Sequence, residues 1–306
     1  GAVKGMVSSL QDPNTSFFTP EESRQFSQDL SGSFGGIGAE IGSRDRQIIV
    51  IAPLKSSPAE KAGLKASDKI LKVDGKSTEG LEVSEAVRLI RGEVGTKVTL
   101  TIIREGWQGP RDVEIARETI QVPTVEWSMK EGNIIHLELS SFSANTPFAF
   151  FQAIASGLRQ GGDGVILDMR NNPGGFLEVS VNLAGWFVNR GDVVVSEKFT
   201  GGDERFFRAY GNEALKNFPV VVIMNEGSAS ASEILAGALR VHNGTKIVGA
   251  KSFGKGTVQQ LIDLSDGSTL KVTISHWLMP DGRLIEGNGL EPDFKVTVTD
   301  EDLMAG

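Results

Sequence analysis

Three short apolar runs, GVILDMR (164–170), FPVVVIM (218–224) and TKIVGA (245–250), each lead into a loop rich in Gly, Asn or Ser. Runs that short, apolar at nearly every position and bounded by turn residues, suit strands buried on both faces. That burial is the mark of parallel sheets covered by helices. The segments between them have helical spacing: TPFAFFQAIASGLRQGG (146–162) opens on Thr146 and Pro147 as N-cap and first helical residue, and EVSVNLAGWFV (178–188) and SEILAGALRVH (232–242) follow. With the strand NIIHLELSSF (133–142), the alternation predicts an α/β core with a mostly parallel sheet over residues 119–306.

Two further regions precede that core. Residues 1–33 read as a helical arm. Asp12-Pro13-Asn14 is a turn signal, and Thr19 is a good N-cap ahead of Pro20, Glu21 and Glu22. Residues 34–118 change pattern: β-rich runs (GGIGAEI, QIIVIAPL, DKILKVDG, KVTLTIIRE) are punctuated by Gly, Pro and Asp and interleaved with two short helical candidates, SPAEKAGL and LEVSEAVRLIRG. This predicts a small α+β module, with the polar segment 105–123 leading out of it.

The 306 residues carry a net charge of −8 and no basic run of five, which argues against nucleic acid as a partner. The absence of cysteine excludes disulfides, thiol nucleophiles and thiolate zinc sites. No apolar run reaches the roughly 18 residues of a membrane span, and GAVKGMVSSL lacks the order of an export signal.

Chemistry concentrates in the Gly-rich loops. NEGSASASEI (225–234) carries Ser228, Ser230 and Ser232 at a strand-to-helix crossing, where ligands gather in open α/β sheets. These serines either cap and pack the helix or include a nucleophile. A serine nucleophile needs a base, and His136, His242 and His276 all lie in ordinary strand or helix contexts. Lysine is the other base able to serve. Lys255, between Gly254 and Gly256, is the candidate; Gln259, four residues on, carries an amide able to fix the lysine head or the hydroxyl. In LDMRNNPGGF a glycine N–H, assigned to Gly175, pairs with the N–H of Ala231 as candidate oxyanion donors. In the small module Gly35, Gly36, Ile37 and Gly38 offer backbone N–H groups beside a strand, an arrangement suited to capturing a peptide's terminal carboxylate.

Together these segments resemble the carboxyl-terminal processing, or tail-specific, proteases, serine peptidases with an embedded PDZ domain. DPNTSFFTPEE looks like the family's N-terminal signature, FGGIGAEI with SPAEKAGLKASDKILKVDG like its PDZ module, and LDMRNNPGG, GSASASEI and FGKGTVQ like its catalytic blocks. The resemblance implies a crotonase-like core, Ser230 as nucleophile, Lys255 as general base and Gln259 as its positioning partner, with no metal or cofactor. It implies a substrate with an apolar C-terminal tail, admits a homodimer and a regulatory partner protein, and points to an extracytoplasmic protein whose export signal is not in this sequence. Arg91, ending the predicted PDZ helix, is a candidate regulatory contact between modules. Two rivals stand beside this: a non-catalytic PDZ adaptor or chaperone, and a serine hydrolase using one of the histidines.

Overall fold

The computed structural model describes residues 2–44 and 46–296. It resolves into two compact units: one comprises the residues up to Gly32 and those from Pro123 onward, the other Ser33–Val122.

The arm consists of α1 (Ala2–Ser8), β1 (Ser16–Phe18) and α2 (Pro20–Ser31). Asp12 closes the turn before β1 by accepting the Asn14 N–H at 2.9 Å and the Thr15 hydroxyl at 2.5 Å. Thr19 and Glu22 cap α2 reciprocally: Glu22 Oε2 accepts the Thr19 N–H at 2.9 Å, and Thr19 Oγ1 accepts the Glu22 N–H.

The small unit contains β2 (Ser33–Gly36), β3 (Ala39–Arg44), β4 (Gln47–Pro53), α3 (Pro58–Lys61), β5 (Lys69–Val73), β6 (Lys76–Ser77), α4 (Val83–Ile90), β7 (Lys97–Ile103), β8 (Arg111–Ala116) and β9 (Glu118–Gln121). Its sheet runs β3-β4-β5-β7-β8 with β6 beside β5, all antiparallel, and β2 pairs separately with β9. Ile48, Val50, Ile70, Leu100 and Ile102 fill the core against Ile90 of α4. Segment 105–123 does not simply lead out. Its alternating RDVEIA pairs with β7, burying Ile115, and ETIQ pairs with β2, so the unit continues to Val122.

The large unit continues with β10 (Val125–Lys130), β11 (Ile134–Leu139), α5 (Thr146–Arg159), β12 (Gly164–Asp168), α6 (Leu177–Ala184), β13 (Val193–Phe199), β14 (Glu204–Arg208), β15 (Val220–Met224), α7 (Ala231–Asn243), β16 (Lys246–Gly249), β17 (Thr257–Asp263), β18 (Thr269–Leu278) and β19 (Phe294–Lys295). One sheet has the order β10-β11-β12-β15-β16-β19, parallel from β11 onward. The expectation of a mostly parallel core needs correction, because this unit is mixed. Gly132 and Asn133, both at positive φ, turn β10 back antiparallel to β11. A second, antiparallel sheet is also present: β18 takes β17 along one edge and β1, then β13, along the other, with β14 outside β13. α5 is capped one residue earlier than expected, by Asn145; the Thr146 hydroxyl is buried and accepts the Ser143 N–H at 3.0 Å. The core packs Phe142, Phe150, Phe187, Leu235 and Leu239 against the strands.

Asp293 ties α7 and β16 to the residues before β19. Its Oδ2 accepts the Ile247 N–H and an Arg240 N–H, both at 2.9 Å. The Ile247 hydrogen bond, with help from Arg240 and against a smaller effect of burial, lowers its pKa from 3.8 to about 2. The folded state therefore binds this proton more weakly than the unfolded chain, so the stabilisation is complete above about pH 4 and is lost as the pH falls toward 2. Urea unfolding of Asp293→Asn should show a lower midpoint than the parent at pH 7, with the difference shrinking below about pH 4 and closing only at about pH 2; a constant difference would mean that the carboxylate charge is not what stabilises this edge.

Candidate active site

β15 ends at Met224, and residues 225–230 lead into α7. Within that stretch the three serines separate by environment. Ser228 Oγ donates to Met169 O at 2.8 Å and accepts the Asn225 N–H at 3.0 Å, and Ser232 Oγ donates to Asn172 O at 3.0 Å; both residues are fully buried. Ser230 is half-buried and lines a cavity of about 690 Å³. It sits at φ 56°, ψ −116°, a conformation that a residue with a Cβ adopts only at a cost of order 1–3 kcal/mol. Of the three serines, Ser230 alone lines the cavity.

The loop after β12 approaches the same turn. Gly174 has φ +97°, and a Cβ there would stand 2.8 Å from Ser230 Cβ and 2.9 Å from Ala231 N, so only glycine fits. Asn172 holds the loop, donating from Nδ2 to Leu139 O at 2.6 Å and accepting the Gly174 N–H at 2.9 Å. Neither the Gly175 N–H nor the Ala231 N–H donates to any described residue. Both residues line the cavity, and Ala231 opens α7, whose first N–H groups have no partner within the helix.

Lys255 arrives on the loop between β16 and β17. Glu233, fully buried in the first turn of α7, binds that loop to the serine turn. Its Oε2 accepts the Ser230 N–H and the Lys255 N–H, both at 2.9 Å; its Oε1 accepts the Gly254 N–H at 2.8 Å and the Ser252 hydroxyl at 2.5 Å. The Phe253 N–H adds a bond to Ser228 O at 3.0 Å. Ser230 and Lys255 share the cavity, but no hydrogen bond joins Ser230 Oγ to Lys255 Nζ. Gln259 also lines the cavity, with its amide Nε2 donating to Thr257 Oγ1 at 2.6 Å rather than to either of them.

Sequence reasoning missed three residues. Glu233 was legible in the Ser-x-x-Glu spacing of a capping box. Lys271 of β18 also lines the cavity, its ammonium 5.7 Å from the centroids of Phe18 and Phe26. Burial first, then the like charge of Lys255, holds Lys271 below the ordinary lysine value, with Asp12 opposing. Glu197 of β13 is the third, and nothing local marks it.

No histidine lines the cavity. His136 Nε2 is 3.3 Å from Asp168 Oδ2, His242 Nε2 is 2.8 Å from Val193 O, and His276 is exposed on β18. The histidine-dependent hydrolase therefore has no support in this geometry.

In the small unit Gly35 to Gly38 are buried. The Gly35 carbonyl accepts the Gly92 N–H at 3.1 Å, the carbonyls of Ile37 and Gly38 accept the N–H groups of Ala59 and Leu54, and the Ile37 side chain enters the core. β3, which follows, is an edge strand, with α4 packed near it. Arg91, the C-cap of α4, lies with its guanidinium carbon 3.8 Å from the Phe34 ring centroid.

A family model described as Peptidase family S41 matches residues 133–296, the stretch that carries all three loops, and one described as a PDZ domain matches residues 49–104. The chain belongs to peptidase family S41. This S41 chain is 41% identical over 300 residues to the carboxy-terminal processing protease CtpA of Bacillus subtilis (strain 168), covering 98% of itself and 64% of that protein. It is 42% identical over 298 residues to a probable CtpA-like serine protease of Staphylococcus haemolyticus (strain JCSC1435), covering 96% of itself and 59% of that protein. It thus spans about three fifths of the length of these curated relatives. Among solved structures it is similar to a photosystem II D1 C-terminal processing protease, with a TM-score of 0.61 and 33% identity over 99% of this chain and 83% of that one. A putative S41 protease from Bacteroides fragilis NCTC 9343, 13% identical with a TM-score of 0.60 over 96% of this chain and 83% of that one, shares the fold.

Removing the Glu233 carboxylate would leave three N–H groups and one hydroxyl buried without an acceptor. Glu233→Ala should lower the unfolding free energy by roughly 3 kcal/mol or more, measured by urea denaturation. A loss below about 1 kcal/mol would show that water or a shifted loop replaces the carboxylate.

Proposed function

We propose that this S41 chain is a serine endopeptidase that recognises the C-terminal tail of protein substrates through its PDZ unit and cleaves them at Ser230. The observation that carries the proposal is the strained Ser230 turn: one serine of three lines the cavity, with two unused N–H donors on the same lining and a lysine loop fastened to the same carboxylate. Lys255, as the free amine, takes the proton of Ser230 Oγ while that oxygen attacks the scissile carbonyl. The N–H groups of Ala231 and Gly175 receive the developing oxyanion. The tetrahedral intermediate then expels the amine, which takes the proton from Lys255, and water releases the acyl group from Ser230. Gln259, its NH2 occupied by Thr257, keeps its carbonyl oxygen to hold the Lys255 head. The mechanism draws on no metal or cofactor.

In the small unit the tail would add as a strand beside β3, its carboxylate on the N–H groups around Gly36 to Gly38. Holding the tail raises the local concentration of the upstream chain for the core site. Arg91, at the end of α4 with its guanidinium over the Phe34 ring, remains the candidate regulatory residue. An extracytoplasmic setting follows from the family resemblance; no helix among the described residues is long and apolar enough to cross a membrane.

A loosely folded substrate with an apolar tail should be cleaved by the parent protein, and Ser230→Ala and Lys255→Ala should each lower kcat/KM by at least about 10³-fold. Gln259→Ala should lower it by roughly 10–100-fold. Amidating the tail should weaken binding. Retained cleavage in the Ser230 or Lys255 variant would sink the mechanism, whereas tail binding with no cleavage by the parent would favour the adaptor reading.

A further inference from the structure

Glu197 is a buried acid that the mechanism above leaves unused. The residue is 4% exposed, on β13, and lines the same cavity as Ser230. Ser275 Oγ donates to its Oε1 at 2.6 Å. Its Oε2 takes no hydrogen bond from any described residue, and no cation among them lies within ion-pair distance. A carboxylate removed from water is costly unless its charge is met, and one neutral hydroxyl meets only part of it.

The surroundings fit a particular visitor. Glu197 stands directly opposite Trp277 on β18, and Trp277 packs edge-on to Phe207 at 5.6 Å, both rings lining the cavity. Arg205 is opposite Glu197 on β14, but its side chain is turned onto the Phe207 ring at 4.9 Å, and the residue is exposed. Glu178, the cavity's other acid, is also exposed, so solvent screens it. Aromatic walls suit a methylene stem, and both the ring faces and the free carboxylate oxygen suit a cationic head.

We infer that Glu197, with Trp277 and Phe207, forms a specificity pocket for a lysine or arginine side chain of the substrate close to the scissile bond. The inference rests on the peptidase reading and deepens it, adding selection by a basic residue near the cut to selection by an apolar tail.

The test uses peptides that share one apolar tail and differ by Lys, Met or Glu placed in turn at successive positions around the cut. The parent should cleave the best-placed Lys peptide at least about tenfold more efficiently than its Met counterpart. Glu197→Gln, which keeps the shape and the hydrogen bond from Ser275, should reduce that ratio to about twofold or less. Ser275→Ala, which keeps the charge, should retain the preference. Equal Lys-to-Met ratios in the parent and Glu197→Gln would overturn the inference and leave Glu197 as a cross-strand acceptor for Ser275. Binding of the same peptides to Ser230→Ala and to Ser230→Ala/Glu197→Gln, followed by fluorescence anisotropy, repeats the comparison without catalysis. If no peptide is cut, the peptidase reading fails, and the binding ratio still decides this one.

Discussion

One carboxylate with four neutral donors organises the centre of this molecule. Glu233 lies in the first turn of α7 and takes hydrogen bonds from Ser230, Ser252, Gly254 and Lys255. An anion is favoured at the N-terminal end of a helix, and here the donors are three otherwise orphaned N–H groups and the Ser252 hydroxyl, from two loops that lead from different strands. A lysine or arginine partner would have pulled the group toward one side chain. Backbone donors instead fix the path of both loops, and so hold in one place the two residues whose distance a Ser–Lys reaction depends on. The strained φ of Ser230 is sustained by the same bonds, since a turn with poor intrinsic preference persists only when its surroundings over-determine it.

The cavity belongs to two sheets. The mixed sheet delivers the serine and glycine loops at the carboxyl ends of β15 and β12, while the antiparallel sheet supplies Gln259, Lys271, Trp277 and Glu197 as side chains of β17, β18 and β13. On the proposed reading the backbone donors come from loops, and the side chains that would discriminate between ligands come from a strand face. Such a division lets the strand face vary without disturbing the turn that carries Ser230.

Much of this arrangement could be read from residues alone, because short-range signals encode it. The apolar runs, the Gly-rich strand ends, the Thr19–Pro20 cap and the serine block all act within a few residues of themselves. What escaped is non-local. The antiparallel sheet is assembled from strands separated by long stretches of chain, and its register depends on pairings such as Glu197 with Trp277 that no window displays. The turn at Gly132 and Asn133 adjoins the apolar run that begins at Asn133, and neither residue says which strand pairs with that run or in which direction. Segment 105–123 was misjudged for a related reason: its polar positions are the outward half of an alternating strand that buries Ile115, and that alternation is plain only once β7 is beside it. Thr146 is not the cap because its own loop engages its hydroxyl, which accepts the Ser143 N–H and donates to Ser141 O.

The pairing of β1 with β18 carries a consequence for how the protein is made. Ser16 meets Lys271 across that ladder, and Phe26 reaches the cavity from the same arm. A loop of some 250 residues has to close before these contacts form, which places them late in folding by the usual relation between contact order and rate. On a ribosome the arm emerges about 250 residues ahead of its partner strand β18. The wall that the arm adds to the cleft therefore cannot form until β18 is available to pair with it.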